Sequence, residues 1–561
     1  MGTELDALSA FAAALVGGGV EFVTAFPGSP TTKLALHLER NAAELGIEFR
    51  WAINENVALS QAFGAAMGGR GAVALMKHVG VNVASDALQV MGVVHGLAAP
   101  LLLIEGADAK PGSSQSAQDN RSLYASSPQL LVLGPSGVGE ILTLVAEGCA
   151  ISAAAGMLVV IRGDARCFAA GACSPGSARP SKKIVARPFE RWPARGWALA
   201  TSARTYGHHL EQRRAVFERL RPWIEQRRAE YGLDGQLHLA VVVAAHLGPE
   251  IAAAIRARRL PYMRLTVEHP LPEAALLELA GRVQELVVLE ECTPTLERAL
   301  GFLAHRAGLR TKVVGRSALG DRRPIGRLDP DALAELLTAL ERRCPPGRRA
   351  RELAEREPKR SDSADAVDPV AVLEDLPDQL ERERLALDGA RPASGFVPTD
   401  PRQAIFAVLR ELAPETFIAT DPGVTGVLAL AGHQCDVKMH MGGAVAIAAG
   451  WSRARARAQG CLAVAVVGDT NLPHSEWLGL LDAAAHNDDL LIVVADNGAS
   501  EMTQQIVTSR LTPERTRASL EAAGIPCEVA TATTNPADWW AAMLRDAAHA
   551  PGPRLVWLEG L

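Results

Sequence analysis

The sequence has few of the features that mark specialised classes of protein. Its eight cysteines are scattered and form no C-x-x-C pair, so no zinc ribbon or iron–sulfur cluster is predicted within this chain. Lys and Arg number 57 and Asp and Glu number 63, and the resulting net charge of −6 gives no reason to expect a nucleic acid or membrane partner. Isolated thiols are typical of a reducing compartment, so we expect a cytoplasmic protein.

Long apolar segments and aromatic clusters are also scarce. The longest apolar run, residues 148–161, is shorter than the ~18 residues that a membrane-spanning helix needs. The first residues are acidic, which does not fit a secretory signal. Aromatic residues make up 4% of the chain, and no cluster of them identifies a ligand. The 48% hydrophobic share indicates an ordinary globular protein.

Short apolar runs alternate with Ala-rich helical stretches along most of the chain, a pattern that predicts parallel sheets covered by helices. The predicted fold class is α/β, with three doubly wound parallel-sheet domains. We predict an α/β domain at 1–185, a helical connector at 186–236, a second α/β domain at 237–340, a flexible linker at 341–395 and a third α/β domain at 396–561.

In the third domain, polar residues follow two predicted strands. Gly468, Asp469 and Thr470 come after one strand, and Asn497 comes after the next. Because parallel strands end at the same edge of a sheet, these residues should lie together. The Asp469 carboxylate, the Asn497 amide and the Ala499 carbonyl would suit Mg²⁺. The helix that follows would attract a diphosphate with its N-terminus.

This arrangement resembles the thiamine diphosphate signature, since 26 residues separate Thr470 from Asn497. A preceding run of small residues would let a cofactor approach the backbone closely. Such pairs at strand ends are also common turns, so a purely structural role stays open. The resemblance implies cofactor binding by Gly442, Gly443, Gly468, Asp469, Thr470 and Asn497, and Mg²⁺ binding by Asp469, Asn497 and Ala499.

In the first domain, Glu55 opens a predicted Ala- and Gly-rich helix. Thiamine chemistry needs a carboxylate in a poorly solvated pocket, where it bonds the pyrimidine ring and favours the imino tautomer. A glutamate at a helix start also compensates the helix dipole, and the position of Glu55 alone does not decide between these roles.

Several longer segments resemble the 2-oxoacid:ferredoxin oxidoreductases, and specifically the catalytic subunit of indolepyruvate ferredoxin oxidoreductase. They are residues 26–32, 76–86 and 113–121 in the first domain and residues 268–272 and 289–292 in the second. The resemblance covers nearly the whole chain in the family's domain order. It implies two thiamine diphosphate-binding folds, pyrimidine-binding first and diphosphate-binding last, with a transketolase C-terminal-like domain between them.

The same resemblance implies roles for single residues. Arg121 would fork onto the substrate carboxylate. His78 would exchange a proton near neutral pH, although a buried histidine bonded to backbone is the structural alternative. In full, the resemblance assigns catalytic roles to Glu55, His78 and His474 and places Ser29, Asn82 and Arg121 around a bound 2-oxoacid.

The family's catalytic subunit normally ends in a ferredoxin-like domain, and this sequence shows no such cysteine run. Thr470, Val424, Gln504 and Gln505 also depart from the family pattern. We predict thiamine diphosphate- and Mg²⁺-dependent decarboxylation of a 2-oxoacid, such as indolepyruvate. The reaction would be oxidative, with CoA and with ferredoxin or a smaller iron–sulfur subunit, in a homo- or hetero-oligomer. A non-oxidative decarboxylase or carboligase, and a catalytically idle cofactor-binding scaffold, stay open.

Overall fold

The computed structural model describes residues 5–108, 118–169, 172–173, 184, 203–321, 328, 330–343, 359–360, 367–374, 376, 405–406, 409, 416–423, 435–455, 461–500, 504–507, 512–531, 539, 542–543, 546 and 550–559. Within these residues the chain forms three α/β units, each with a sheet whose strands are mainly parallel. The predicted fold class is confirmed. Most of the predicted linker at 341–395 lies outside the described residues.

The first unit has a sheet with helices on both faces. Its elements are β1 (Leu5–Asp6), α1 (Ala7–Gly17), β2 (Val20–Ala25), α2 (Thr32–Arg40), α3 (Ala42–Leu45), β3 (Glu48–Trp51), α4 (Glu55–Met67), β4 (Gly71–Lys77), α5 (His78–Val83), α6 (Ser85–Met91), β5 (Leu101–Gly106), α7 (Arg121–Ala125), β6 (Leu131–Leu133), α8 (Val138–Ala155), β7 (Leu158–Gly163) and β8 (Ala172–Cys173).

The middle unit begins with the charged helix of the predicted connector. Its elements are α9 (Ala203–Gln226), β9 (Arg228–Tyr231), β10 (Leu237–Val243), α10 (Pro249–Ala257), β11 (Tyr262–Leu265), β12 (Val267–His269), α11 (Glu273–Arg282), β13 (Val283–Leu289), α12 (Thr295–Arg306), β14 (Lys312–Val314), a 3-10 helix (Arg316–Leu319), α13 (Pro330–Arg343), β15 (Lys359–Arg360) and a second 3-10 helix (Ala371–Leu373).

The third unit contains an all-parallel sheet. Its elements are β16 (Phe417–Thr420), β17 (Val437–Lys438), α14 (Ala444–Ala454), β18 (Ala463–Gly468), a π-helical turn (Leu472–Glu476), α15 (Trp477–Ala485), β19 (Leu490–Ala495), α16 (Pro513–Ala522), β20 (Cys527–Thr531) and β21 (Arg554–Glu559). The strand order is β17-β16-β18-β19-β21-β20. The inner strands β18 and β19 are nearly continuous runs of Val, Ile, Leu and Ala because both faces of the sheet are covered there.

The first sheet includes a strand from the middle unit. Its order is β12-β6-β7-β5-β4-β2-β3, and β12 pairs antiparallel with β6 while the other pairs are parallel. The sheet of the middle unit has the order β14-β13-β10-β11-β9-β15, with β9 and β15 antiparallel. The first and middle units are therefore joined through a shared sheet, which the sequence pattern did not predict.

One described helix, α8, is long and apolar enough by length and composition to cross a membrane. Half of it is buried inside the protein, where Ile141, Val145 and Ile151 belong to the core formed with the first sheet. A buried core helix of a globular protein can have the same length and apolar composition, so α8 is only weak evidence for a membrane span.

The first and third units meet along α4 and α14, which lie side by side and run in the same direction. A Cβ on Gly64 of α4 would overlap the carbonyl oxygen of Ile447, and one on Gly68 would lie 2.5 Å from the Cβ of Ala454. Glycine is needed at these positions because the two backbones touch. Val57 and Ala58 cluster with Ala446 near the start of both helices, and Gly68 meets Ala454 near their ends, so the two N-termini lie at the same end of the pair.

Candidate active site

Glu55 is the first residue of α4, as predicted. Asn54 caps the helix, because its extended backbone lets its side-chain oxygen accept a hydrogen bond of 2.8 Å from the Val57 amide. The Glu55 side chain is buried, and burial raises the pKa of its carboxyl group. A Cβ on Gly80 of α5 would overlap the Glu55 carboxyl group, so this carboxyl fills a notch that only glycine leaves open.

His78 follows β4 and begins α5, directly beside this notch. The side chain is 1% exposed, and neither ring nitrogen has a hydrogen-bond partner in the described part of the chain. Burial and the positive charge of Lys77 lower the pKa of His78, and the nearby Gly106 backbone and Asp108 oppose this shift only in part. The imidazole is therefore mainly neutral at pH 7, and the protein encloses both of its nitrogens.

Ser29 and Asn82 lie at the same edge of the first sheet. Ser29 is in the loop after β2, where neighbouring Gly28 packs on Lys77 so closely that a Cβ would lie 2.6 Å from the lysine Cβ. The Asn82 amide donates to Gln118 and, at 3.3 Å, to Asn120. The structure thus brings Ser29, His78 and Asn82 to the edge where Glu55 sits. Residues 113–117 of the predicted motif, and Val424, lie outside the described residues.

Arg121 begins α7 and reaches into the middle unit. Its guanidinium donates to Glu290 at 2.8 Å, to Asp119 at 2.7 Å and 3.0 Å, to the Thr293 carbonyl at 2.8 Å and to the Glu291 carbonyl. These acceptors belong to the chain itself, so a substrate carboxylate would have to compete with them. The predicted substrate contact of Arg121 stays a prediction, and the structure adds an interdomain role that the sequence did not indicate.

A second buried arginine, Arg162 of β7, lies in the same contact. It is 3.1 Å from Glu268 of the middle unit, 3.4 Å from Glu105 and 3.7 Å from Asp119. Tyr124 donates its hydroxyl to Glu105, and burial raises the pKa of Glu105 to about 7. We call the group formed by Arg121, Arg162, Glu105, Asp119, Glu268 and Glu290 the interdomain charge cluster. This cluster has two guanidinium groups and four carboxyl groups. Burial and the negative charge of the neighbouring carboxyl groups both favour the protonated form of Glu105.

In the third unit, Asp469 and Asn497 follow adjacent parallel strands, β18 and β19, as predicted. The carboxyl groups of Asp469 and Asp496 lie close together, and burial followed by the Asp496 charge raises the pKa of Asp469 to about 6. Trp557 fixes Asp496 with an indole hydrogen bond of 2.8 Å, and the Asn497 side chain accepts from the Ala499 amide at 3.1 Å. Sequence reasoning did not select Asp496, although its place at a strand end was visible.

These residues offer hard oxygen donors of the kind that Mg²⁺ takes. Two of them, Asp469 and Asp496, are carboxylates, and Asn497 adds an amide oxygen. Within the described ranges no three His, Cys, Asp or Glu side chains form a metal-binding group, so an ion here would also need amide and carbonyl oxygens. A Cβ on Gly468 would meet no atom within 4 Å, so the strand end leaves room for a ligand.

The resemblance predicts that Gly442 and Gly443 bind the cofactor, and in the structure the backbone amides of this segment donate to carboxyl groups of the chain itself. Gly442 has a left-handed φ of 82°, and a Cβ there would overlap Ser475. The Gly442 amide donates to Asp421 at 2.8 Å, and the Ala444 amide donates to Asp421 at 3.1 Å and to Glu476 at 2.8 Å. Burial raises the pKa of both carboxyl groups, and their mutual repulsion adds to the rise at Glu476. Side chains of the chain itself therefore cap α14, and no local sequence pattern indicates this.

His474 lies in the π-helical turn after the Gly468–Thr470 strand end. Its side chain is exposed, its Nδ1 contacts the Ser475 hydroxyl, and its charge acts on Asp86 of α6 in the first unit. His474 therefore lies where the first and third units meet. Gln504 and Gln505 have left-handed φ values of 66° and 58°, the backbone conformation that glycine adopts most freely.

Comparisons with known proteins indicate the class of cofactor. Residues 432–557 match the family "Thiamine pyrophosphate enzyme, C-terminal TPP binding domain". The chain is 26% identical to the indolepyruvate oxidoreductase subunit IorA of Archaeoglobus fulgidus, over 88% of this chain and 74% of that protein. It is 25% identical to the same subunit of Methanothermobacter thermautotrophicus, over 87% and 74%. The predicted resemblance to this subunit and the predicted enzyme class, a thiamine diphosphate-dependent 2-oxoacid oxidoreductase, are confirmed.

A solved structure is also similar to part of the chain. It is a 2-oxoglutarate:ferredoxin oxidoreductase from Magnetococcus marinus, 15% identical, with a TM-score of 0.46 over 60% of this chain and 64% of that chain.

Proposed function

We propose that this chain is the catalytic subunit of an enzyme that oxidatively decarboxylates an aryl 2-oxoacid such as indolepyruvate. Thiamine diphosphate and Mg²⁺ would be its cofactors, CoA would accept the acyl group, and a smaller iron–sulfur subunit or ferredoxin would accept the electrons. One observation carries the proposal, namely that buried Glu55 lies at the N-terminal end of the parallel helix pair α4 and α14. At the same end, Gly442 contacts Ser475, which belongs to the π-helical turn that follows Asp469. The name of the similar IorA subunits supports the choice of substrate.

The third unit would hold the charged end of the cofactor. Asp469, Asn497 and the Ala499 carbonyl would bind Mg²⁺, and Gly468 and Thr470 would lie against the diphosphate. When bound, thiamine diphosphate supplies a carbon nucleophile for the keto carbon of the 2-oxoacid. The remaining contributions come from side chains of the protein.

Glu55 would act on the pyrimidine ring. Its carboxyl group packs against Gly80, and burial raises its pKa, which favours a hydrogen bond between this carboxyl group and a ring nitrogen. His78 is neutral and has two unpartnered nitrogens within the described residues, so it can donate a hydrogen bond to a substrate oxygen or accept a proton.

Lys77 is a second candidate for binding the substrate carboxylate. It precedes His78, packs on Gly28 beside Ser29, and lies 3.9 Å from Asp108. Arg121 already donates hydrogen bonds to Asp119 and Glu290 of the same chain. Lys77 is therefore the cation better placed to bind a substrate carboxylate at this edge of the first sheet. We expect Lys77→Met to raise KM for the 2-oxoacid more than it lowers kcat.

The assay that tests the proposal uses the protein purified as a complex with its smaller subunit, together with thiamine diphosphate, Mg²⁺, CoA and indolepyruvate, with and without a one-electron acceptor. We expect CO₂ release that depends on a one-electron acceptor, with acyl-CoA as product, and a weaker reaction with 2-oxoglutarate. Aldehyde release without any acceptor would instead identify a non-oxidative decarboxylase. Unchanged turnover in a Glu55→Gln complex would identify an idle scaffold. We also propose a cytoplasmic location, supported by the scattered cysteines of the sequence, which form no C-x-x-C pair.

A further inference from the structure

Asp482 of α15 lies buried in the contact between the first and third units. One carboxylate oxygen accepts a 2.7 Å hydrogen bond from the Ile53 amide, and the other accepts a 2.5 Å hydrogen bond from the Gln61 side chain. Ile53 comes two residues before Glu55, and Gln61 lies on the helix that Glu55 begins. A single carboxylate from the third unit therefore holds the chain on both sides of Glu55.

The helix that carries Asp482 is the one that follows the Gly468–Thr470 strand end. The π-helical turn leads from that strand end directly into α15. The residues proposed to hold the diphosphate and the carboxylate that holds α4 thus belong to one continuous element. A displacement of about 1 Å in a reacting group can cost about 100-fold in rate, so such a link between the two half-sites matters for catalysis.

We propose that Asp482 is a positioning residue that fixes Glu55 relative to the diphosphate half of the site. This inference rests on the proposed function. Asp482 touches no reacting group, and it acts through the Ile53 amide and Gln61. His486 lies one turn later with its Nδ1 3.2 Å from the same carboxylate, and the hydrogen bond to Asp482 raises the pKa of His486.

Gln61 provides a conservative variant that should preserve the link. Its side-chain carbonyl oxygen, Oε1, is buried and lacks a hydrogen-bond partner within the described residues. The two ends of a glutamine amide exchange by rotation, and its neighbours decide which orientation is adopted. In Asp482→Asn, the new amide can donate to Gln61 Oε1 while its oxygen still accepts from Ile53. Asp482→Ala loses both hydrogen bonds.

Asp488 provides the matched control. It is buried in the same contact between units and forms a bidentate pair with Arg50 at 3.1 Å and 2.6 Å. Its side chain makes no hydrogen bond to Ile53 or Gln61. Asp488→Asn should therefore weaken the contact between the units without releasing the start of α4.

The first test uses amide hydrogen exchange in the cofactor-free protein, on a peptide that covers residues 53–58. We expect amide exchange about 10-fold faster than wild type in Asp482→Ala, because this variant loses two charge-assisted hydrogen bonds. In Asp482→Asn and Asp488→Asn, amide exchange should stay within about 3-fold of wild type. Wild-type exchange in Asp482→Ala, or exchange in Asp482→Asn as fast as in Asp482→Ala, would overturn the proposal.

The second test uses the cofactor-loaded protein and measures how fast the thiazolium C2 proton exchanges with deuterium. We expect Asp482→Ala to slow this exchange about 10-fold while cofactor affinity stays within about 3-fold, and Asp482→Asn to restore it. An equal slowing in Asp488→Asn would contradict a specific role for Asp482. If wild type binds no thiamine diphosphate, the proposed function fails, whereas the first test still decides whether Asp482 holds α4.

Discussion

The first unit contacts its two neighbours in physically different ways. Against the third unit, α4 packs on α14 through Gly64 and Gly450, whose missing side chains let the two backbones touch. The first unit contacts the middle unit through the interdomain charge cluster, in which Arg121 and Arg162 face four carboxyl groups. The first contact depends mainly on close backbone packing, to which the buried carboxylates of Asp482 and Asp488 add hydrogen bonds, and it positions the start of α4. The second depends on charge balance, so it should govern stability and its pH dependence rather than the chemistry.

The largest effect should come from Glu55, the proposed catalytic group beside the contact with the third unit. We expect Glu55→Gln to lower kcat by about 10²–10⁴-fold, because the amide keeps the volume but cannot transfer a proton. The free energy of unfolding should change little. Steady-state turnover measures the effect, and Glu44→Gln on the exposed surface of α3 is the control. An equal loss in both variants would contradict a catalytic role.

The next largest effect should come from the interdomain charge cluster. Arg162→Met leaves Glu105, Asp119 and Glu268 buried without this cation, and we expect a loss of about 3–5 kcal/mol in the free energy of unfolding. Urea unfolding followed by circular dichroism measures it. In the exposed pair of Glu218 and Arg221, Arg221→Met should cost less than about 1 kcal/mol. Similar losses in the two variants would show that the interdomain charge cluster stabilises the protein no more than an exposed ion pair does.

A smaller loss of stability should follow from filling the helix contact. Gly64→Ala places a methyl group on the Ile447 carbonyl, and we expect destabilisation by about 1–3 kcal/mol together with reduced turnover. Gly301 lies within α12 with no atom near its missing side chain, so Gly301→Ala should stabilise by up to about 1 kcal/mol. Thermal unfolding compares the two. A neutral Gly64→Ala would mean that the backbones do not touch.

The effect that is smallest over one measured step is the pH dependence of stability. Burial raises the pKa of Glu105 from 4.5 to about 7, so the folded protein binds more protons than the unfolded chain between these values. The contribution of Glu105 to stability is therefore present below pH 4.5 and is lost as pH rises towards 7, by up to about 1.4 kcal/mol per pH unit. Glu105→Gln should remove this slope. Unfolding measured from pH 5 to pH 8 tests it, and an identical slope in both proteins would contradict the assignment.

Much of the fold could be predicted because strands buried on both faces are continuous apolar runs. The same reasoning placed Asp469 and Asn497 at one edge, since neighbouring parallel strands end together. Glu55 was placed correctly at a helix start because the polar residue Asn54 precedes an Ala-rich stretch.

Features that depend on distant pairing could not be predicted. Asp421 and Glu476 cap α14 from other parts of the third unit, and Arg121 meets Glu290 across 169 positions of sequence. No local pattern marks such partners, because a carboxylate that caps a helix and one that is free in solvent have the same neighbours along the chain. Asp482 was missed for the same reason.

Isothermal titration of the protein with thiamine diphosphate in the presence of Mg²⁺ tests the central claim most directly. We expect wild type to bind one equivalent of cofactor per chain and Asp469→Ala to show no measurable binding. Glu55→Gln should still bind the cofactor, because the diphosphate half of the site is intact. Failure of wild type to bind, or equally tight binding by Asp469→Ala, would contradict the claim that these two units form a thiamine diphosphate site.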